Sequence, residues 1–151
     1  MKEITEVKES MNVPVKIKML GGKIPEYKTD GSACADAYAN ESMTIQPGDI
    51  RTIRLGFAVE IPKGYEIQVR PRSGLAVKDY QIGVLGTIDS DYRGEVCAII
   101  YNCTNTSYTV SIGERICQLK LSKVPIAEFI EVDELSSTRR GEGGFGSTGK
   151  K

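Results

Sequence analysis

The chain has 151 residues, 40% apolar and 26% charged, which is ordinary composition for one globular domain. Twenty basic residues balance twenty acidic ones, so no global field draws the protein to nucleic acid or to a membrane surface. There is no histidine, which excludes Ser-His-Asp and Cys-His relays and favours a carboxylate as general base.

The opening dozen residues, MKEITEVKESMN, alternate in charge and lack an apolar core, so they read as an N-terminal extension rather than a secretory signal. No apolar run approaches the roughly 20 residues that span a bilayer, and a cytoplasmic address is expected, or a nuclear one in a eukaryote. Cys34, Cys97, Cys103 and Cys117 form no C-x-x-C pair, which argues against zinc and for small reduced hydrophobes.

From residue 13 to 133 period-two alternation dominates and predicts a β-rich domain. Tyr65-Glu66-Ile67-Gln68-Val69-Arg70 puts Tyr, Ile and Val on one face and Glu, Gln and Arg on the other. Residues 108–112 and 117–121 repeat the pattern. Further strands are expected at 13–19, 50–55, 57–61, 96–102 and 127–132. Turn signals at Pro47-Gly48, Pro62-Lys63-Gly64, Arg93-Gly94 and Gly113 separate these runs. Only residues 73–77 suggest a helical turn. Many short strands with frequent turns predict an all-β protein, a jelly-roll-like barrel or sandwich.

The segment 134–151 differs in kind. It is polar and small, and five of the sixteen glycines fall between Gly141 and Gly149. Such a stretch builds no core and is expected to be a flexible arm, able to reach about 55 Å at roughly 3.3 Å per residue. That length suffices to cover a site on a neighbouring subunit. Its two G-x-G-x-x-G matches and its partial Walker A likeness lack the flanking strand and helix that those motifs require. The chemistry still suits phosphate: glycine backbone N–H groups, the hydroxyls of Ser147 and Thr148, and the guanidinium of Arg140. Phe145 is a lone ring with no core to join, and stacking on a base is its natural use.

Three further segments concentrate chemistry. Arg70-Pro71-Arg72-Ser73-Gly74-Leu75-Ala76 ends a strand with cations and a hydroxyl. Gly86-Thr87-Ile88-Asp89-Ser90-Asp91-Tyr92-Arg93-Gly94-Glu95 holds two carboxylates, a phenol and a guanidinium in a turn-rich stretch. Gly113-Glu114-Arg115-Ile116-Cys117-Gln118 opens another strand. With Ser32-Ala33-Cys34-Ala35-Asp36-Ala37 and Arg140-Gly141-Glu142-Gly143-Gly144-Phe145-Gly146-Ser147-Thr148-Gly149, their order resembles the five motifs of the homotrimeric dUTP diphosphatase family. The resemblance runs from about Val13 to Gly149. Cys34 stands where that family usually has glycine, and Cys117 where alanine is frequent.

The resemblance implies hydrolysis of dUTP to dUMP and pyrophosphate, by in-line attack of water on the α-phosphorus with Mg²⁺. It gives Asp89 the role of base for that water. Arg72, Ser73, Gly74 and Gln118 would hold the phosphates. Mg²⁺ would ride on the triphosphate, mostly water-coordinated, with Asp36 reaching it indirectly through water. Uracil would be chosen by the hairpin 83–97, with Gly83, Thr87 and Ile88 in its wall and Cys97 contributing backbone while its side chain joins the core. Tyr92 would lie under the sugar and exclude a ribose 2′-hydroxyl. Arg140, Phe145, Gly146, Ser147 and Thr148 would close over the substrate. A homotrimer with sites shared between subunits follows from the same likeness. A dCTP deaminase-like enzyme of similar fold, or a non-catalytic binding module, are the alternatives.

Overall fold

The computed structural model describes residues 12–145. Ten strands and one short helix follow one another: β1 Lys16–Met19, β2 Ala35–Tyr38, β3 Met43–Ile45, β4 Ile50–Glu60, β5 Tyr65–Pro71, α1 Ser73–Asp79, β6 Gln81–Val84, β7 Gly86–Ile88, β8 Glu95–Asn102, β9 Tyr108–Val110 and β10 Arg115–Lys123. They form two four-stranded antiparallel sheets, ordered β1-β4-β8-β6 and β2-β10-β5-β7, and a small β3-β9 ribbon. The all-β, jelly-roll-like architecture expected from the alternation is the one found.

The period-two pattern decides which face is buried. Along β8, Val96, Ala98, Ile100 and Asn102 point inward, while Glu95, Cys97, Ile99 and Tyr101 lie half-exposed on the other face. The inward faces of both sheets meet around Phe57, Leu55, Ile53, Ile45, Ile100, Ile116 and Val110. Each such side chain contributes about 1.5–3 kcal/mol on leaving water. Asn102, fully buried, is with Gln81 and Asp36 one of three buried polar side chains among the described residues. Its amide donates to the carbonyls of Ile45 (3.0 Å) and Thr106 (2.8 Å), and its oxygen accepts from Gln81 (3.1 Å), tying β3, β6 and β8 together.

Three expectations are corrected. Residues 50–55 and 57–61 are one strand, β4, whose pairing with β8 slips at a bulge around Gly56, so alternation breaks without the strand ending. Residues 127–132 form no strand, because no strand among the described residues lies beside them to pair. Their apolar members are exposed instead, Phe129 at 95%. Cys97 lies on the outward face of β8, not in the core, since its neighbours Val96 and Ala98 take the inward positions.

Candidate active site

One site arises where a strand changes sheets. β6 pairs with β8 as far as Val84 opposite Ile99. One residue later the chain crosses over: β7 pairs with β5, with Gly86 opposite Val69, Thr87 opposite Gln68 and Ile88 opposite Ile67. Among the described residues, 95–98 of β8 therefore have no strand partner on that side, so along the opening their backbone groups pair with no strand, Glu95 O accepting from the Tyr92 hydroxyl instead. A slot of about 310 Å³ fills the gap, lined by Gly86, Thr87, Ile88, Asp89, Tyr92 and Cys97 among others. Gly83 lies just before it. A Cβ there would come within 2.7 Å of Pro71 Cβ, so its lack of side chain lets β6 press against the end of β5.

Asp89 follows β7 directly and is exposed, its carboxylate free of hydrogen-bond partners among the described residues. It borders both the slot and a larger open groove of about 1020 Å³ that runs past Pro14, Tyr65, Glu66 and Ile126. The turn beyond it is fixed by Tyr92 N donating to Asp89 O (3.1 Å). The Tyr92 hydroxyl donates to Glu95 O (3.1 Å) and its ring lies over Gly94, where a Cβ would collide with the phenol.

A second cluster gathers cations. Asp36, on β2, is 5% exposed and faces Gln118 across the β2–β10 pairing. Its two oxygens accept from Gln118 Nε2 (3.1 Å) and Arg115 Nη1 (3.0 Å), and Arg72 Nε stands 3.9 Å away. Arg72 also donates to Arg115 O (2.7 Å). Burial pushes the Asp36 carboxyl up, but the hydrogen bonds from Gln118 and Arg115 and the charges of Arg72 and Arg115 outweigh it. The net effect holds the group below the usual aspartate range. Arg72 leads into α1, which Leu75 anchors in the core, leaving Ser73 exposed and Gly74 half-buried at its start. A pocket of about 360 Å³ opens over Asp36, Arg72, Arg115 and Gln118. Arg115 is the residue that the sequence reading left out.

The two clusters are apart within one chain. Thr87 faces Gln68, so Asp89 falls beside Glu66, six residues along β5 from Arg72. At about 3.3 Å per residue the separation is roughly 20 Å. The proposed base and the proposed phosphate ligands do not converge here. In the arm, Arg140 Nε donates to Gly143 O (2.8 Å), and Phe145 stands fully exposed. Gly146, Ser147 and Thr148 lie outside the described residues.

A resident metal would need carboxylates with free oxygens. Among the described residues no three acidic or cysteine side chains converge as a cage, and both Asp36 oxygens are already engaged. The side chains fit a hydrated cation that arrives on phosphate oxygens better than one ligated by protein alone. No helix among the described residues is long and apolar enough to cross a membrane.

The dUTPase family profile matches residues 21–149. A deoxyuridine 5'-triphosphate nucleotidohydrolase of Fusobacterium nucleatum is 49% identical over 143 residues, covering 90% of this chain and 98% of that protein. Its counterpart in Nautilia profundicola is 50% identical over 141 residues, with 90% and 99% covered. Among solved structures, a mutant dUTPase of Staphylococcus bacteriophage 80alpha with dUpNHpp superposes with a TM-score of 0.84 at 27% identity, covering 90% of this chain and 98% of that one. With its site segments in order and its fold shared, the chain belongs to the dUTPase family.

Proposed function

We propose that this protein is a dUTP diphosphatase that hydrolyses dUTP to dUMP and pyrophosphate. The observation that carries the reading is the unpaired edge of β8 beside Asp89 and Tyr92. A free strand edge presents alternating N–H and C=O groups, which can match the donor–acceptor edge of uracil and mismatch that of cytosine. Gly86, Thr87 and Ile88 would form the opposite wall and leave no room for a 5-methyl group, with Gly83 setting its position. Cys97 lines the slot as well. Tyr92, pinned by Glu95 and Gly94, would lie against the sugar where a 2′-hydroxyl has no room.

Asp89 would take the proton from the attacking water, since its carboxylate is free to accept. Phosphoryl transfer asks the protein chiefly for positioning and charge neutralisation. Arg72, Arg115, Gln118, Ser73 and Gly74 are suited to that task, and Arg115 joins the set on geometry. Mg²⁺ bound to the phosphates would neutralise charge and orient them. Asp36 would meet that hydrated ion on the side that Gln118, Arg115 and Arg72 leave open.

Because Asp89 and Arg72 are about 20 Å apart along β5, the site needs a second copy of the chain. Two surfaces favour such an assembly, and we propose the homotrimer. Ile126, Phe129, Ile130 and Leu135 are 74–95% exposed in an extended segment, far from a core of their own. On the outer face of the first sheet, Ile50, Tyr101 and Ile82 stand in one cross-strand row. Apolar surface of this kind marks an interface. The barrel, 13–133, would supply both clusters, and the arm, 134–151, would bring Arg140, Phe145, Gly146, Ser147 and Thr148 over the bound nucleotide. A cytoplasmic enzyme of nucleotide metabolism fits this reading.

The test is pyrophosphate release from each deoxynucleoside triphosphate and from UTP, with and without Mg²⁺. Magnesium-dependent formation of dUMP from dUTP alone is expected. Deamination of dCTP, or no turnover, would overturn the reading.

A further inference from the structure

Lys28 stands on the rim of the cation pocket yet belongs to none of the five motif segments. The strand-like stretch before it is held beside β2 by paired hydrogen bonds, Glu26 N to Asp36 O (3.0 Å) and Asp36 N to Glu26 O (2.9 Å). A continuous row therefore crosses the sheet: Arg70, Gln118, Asp36, Glu26. Two residues on, Lys28 lines the same pocket as Ser32, Asp36, Arg72, Arg115 and Gln118.

The charge in this pocket is unbalanced. Three cations, Lys28, Arg72 and Arg115, face one carboxylate, Asp36, whose oxygens are turned onto Gln118 and Arg115. Lys28 is held in reserve on its outer side. Its ammonium contacts Glu26 at 2.6 Å and lies 5.6 Å from the centre of the Tyr38 ring, while the Tyr38 hydroxyl also donates to Glu26. The pair is exposed, with 40% of the lysine side chain open to solvent, so exchanging one anion for another costs little.

The size of the pocket decides which anion it suits. Arg72, which follows β5, sends its guanidinium across to Asp36 on β2 (3.9 Å), so its charge lies in the same pocket of about 360 Å³ as Arg115 and Lys28. That space holds more than one phosphate group, so a chain of phosphates can engage all three cations. We propose that Lys28 binds the outer phosphates of the substrate, leaving Glu26 when a polyphosphate enters the pocket. This rests on the dUTP reading above.

Magnesium pyrophosphate and dUMP serve as separate probes, their binding measured by calorimetry alongside dUTP turnover. For Lys28→Gln, pyrophosphate affinity should fall, and KM for dUTP rise, by about three- to fivefold, the range of an exposed charge pair. The affinity for dUMP should stay unchanged, and Lys28→Arg should restore pyrophosphate binding. Unchanged or tighter pyrophosphate binding in Lys28→Gln, or an equal loss for dUMP, would overturn the proposal. Parent protein without dUTP turnover would instead remove the functional reading, so the two failures are distinct.

Discussion

Arg115 reaches Asp36 at 3.0 Å because β10 carries one extra residue at its start. Arg115 lies opposite Tyr38 and Cys117 opposite Ala37, so two steps along β10 match one along β2. Ile116 and Cys117 are consequently both buried, and Arg115 and Gln118 share a face that strict alternation would deny them. The bulge is what makes a pair of ligands for one carboxylate.

Replacing Asp36 with Asn keeps the shape and removes the charge that holds Arg115 and Arg72 together. We expect a loss of about 1–3 kcal/mol in stability at neutral pH, as when a buried hydrogen-bonded acceptor loses its charge. KM for dUTP should rise with the disordered guanidinium groups. The folded-state pKa of Asp36 is depressed, so its contribution is fully present above the unfolded value of about 4 and is lost as pH falls through the folded one. Urea titrations at pH 7 and pH 3 should find the parent–variant gap closing in acid. A gap that widened instead would mean that the carboxylate is not the stabilising group.

Much of this was legible because the strands are regular. The alternation of Tyr65 to Arg70 gave β5 its faces, whereas the roles expected of Asp89, Tyr92 and Arg72 came only from the likeness of their segments to a known family. What escaped were places where the period breaks. β2 reads Ala35-Asp36-Ala37-Tyr38 and is buried throughout, so no alternation announces it. The Arg115 bulge hid a ligand two positions before an identified strand. The pattern at 127–132 has strand character, yet no strand among the described residues pairs it. The transfer of the chain from β6 to β7 at Leu85, which opens the slot, left no mark beyond Gly86.

Asp89→Asn should separate chemistry from fold. The residue is exposed and makes no side-chain hydrogen bond among the described residues, so thermal stability should move by less than about 0.5 kcal/mol. Loss of the proposed base should lower kcat by about 10²–10⁴-fold with little change in KM. Single-turnover kinetics beside a melting curve would check both. Near-parental kcat would remove Asp89 from the reaction.

Gly94→Ala tests the sugar wall. The added methyl would occupy the space of the Tyr92 phenol, forcing the ring off Gly94 and breaking its bond to Glu95. Discrimination between dUTP and UTP should weaken by about tenfold, the order set by one mispositioned steric contact. The ratio of kcat/KM for the two nucleotides reads this directly. A ratio equal to the parent's would show that Tyr92 does not select the sugar.

Phe129 and Ile130 provide the last test, because exposed apolar side chains in an extended segment need a host. Within one chain Phe129 touches solvent almost entirely, so changing it to Asp should cost the isolated barrel nothing. Burying that new charge in an interface would cost several kcal/mol, enough to shift assembly by two or more orders of magnitude. Sedimentation of Phe129→Asp should therefore show a folded but dissociated protein, with its circular dichroism intact. Activity should fall with assembly, since in the proposed trimer the carboxylate of Asp89 and the guanidinium of Arg72 would meet only between copies. An active monomer would mean that one chain brings them together by a rearrangement of β5 and β7.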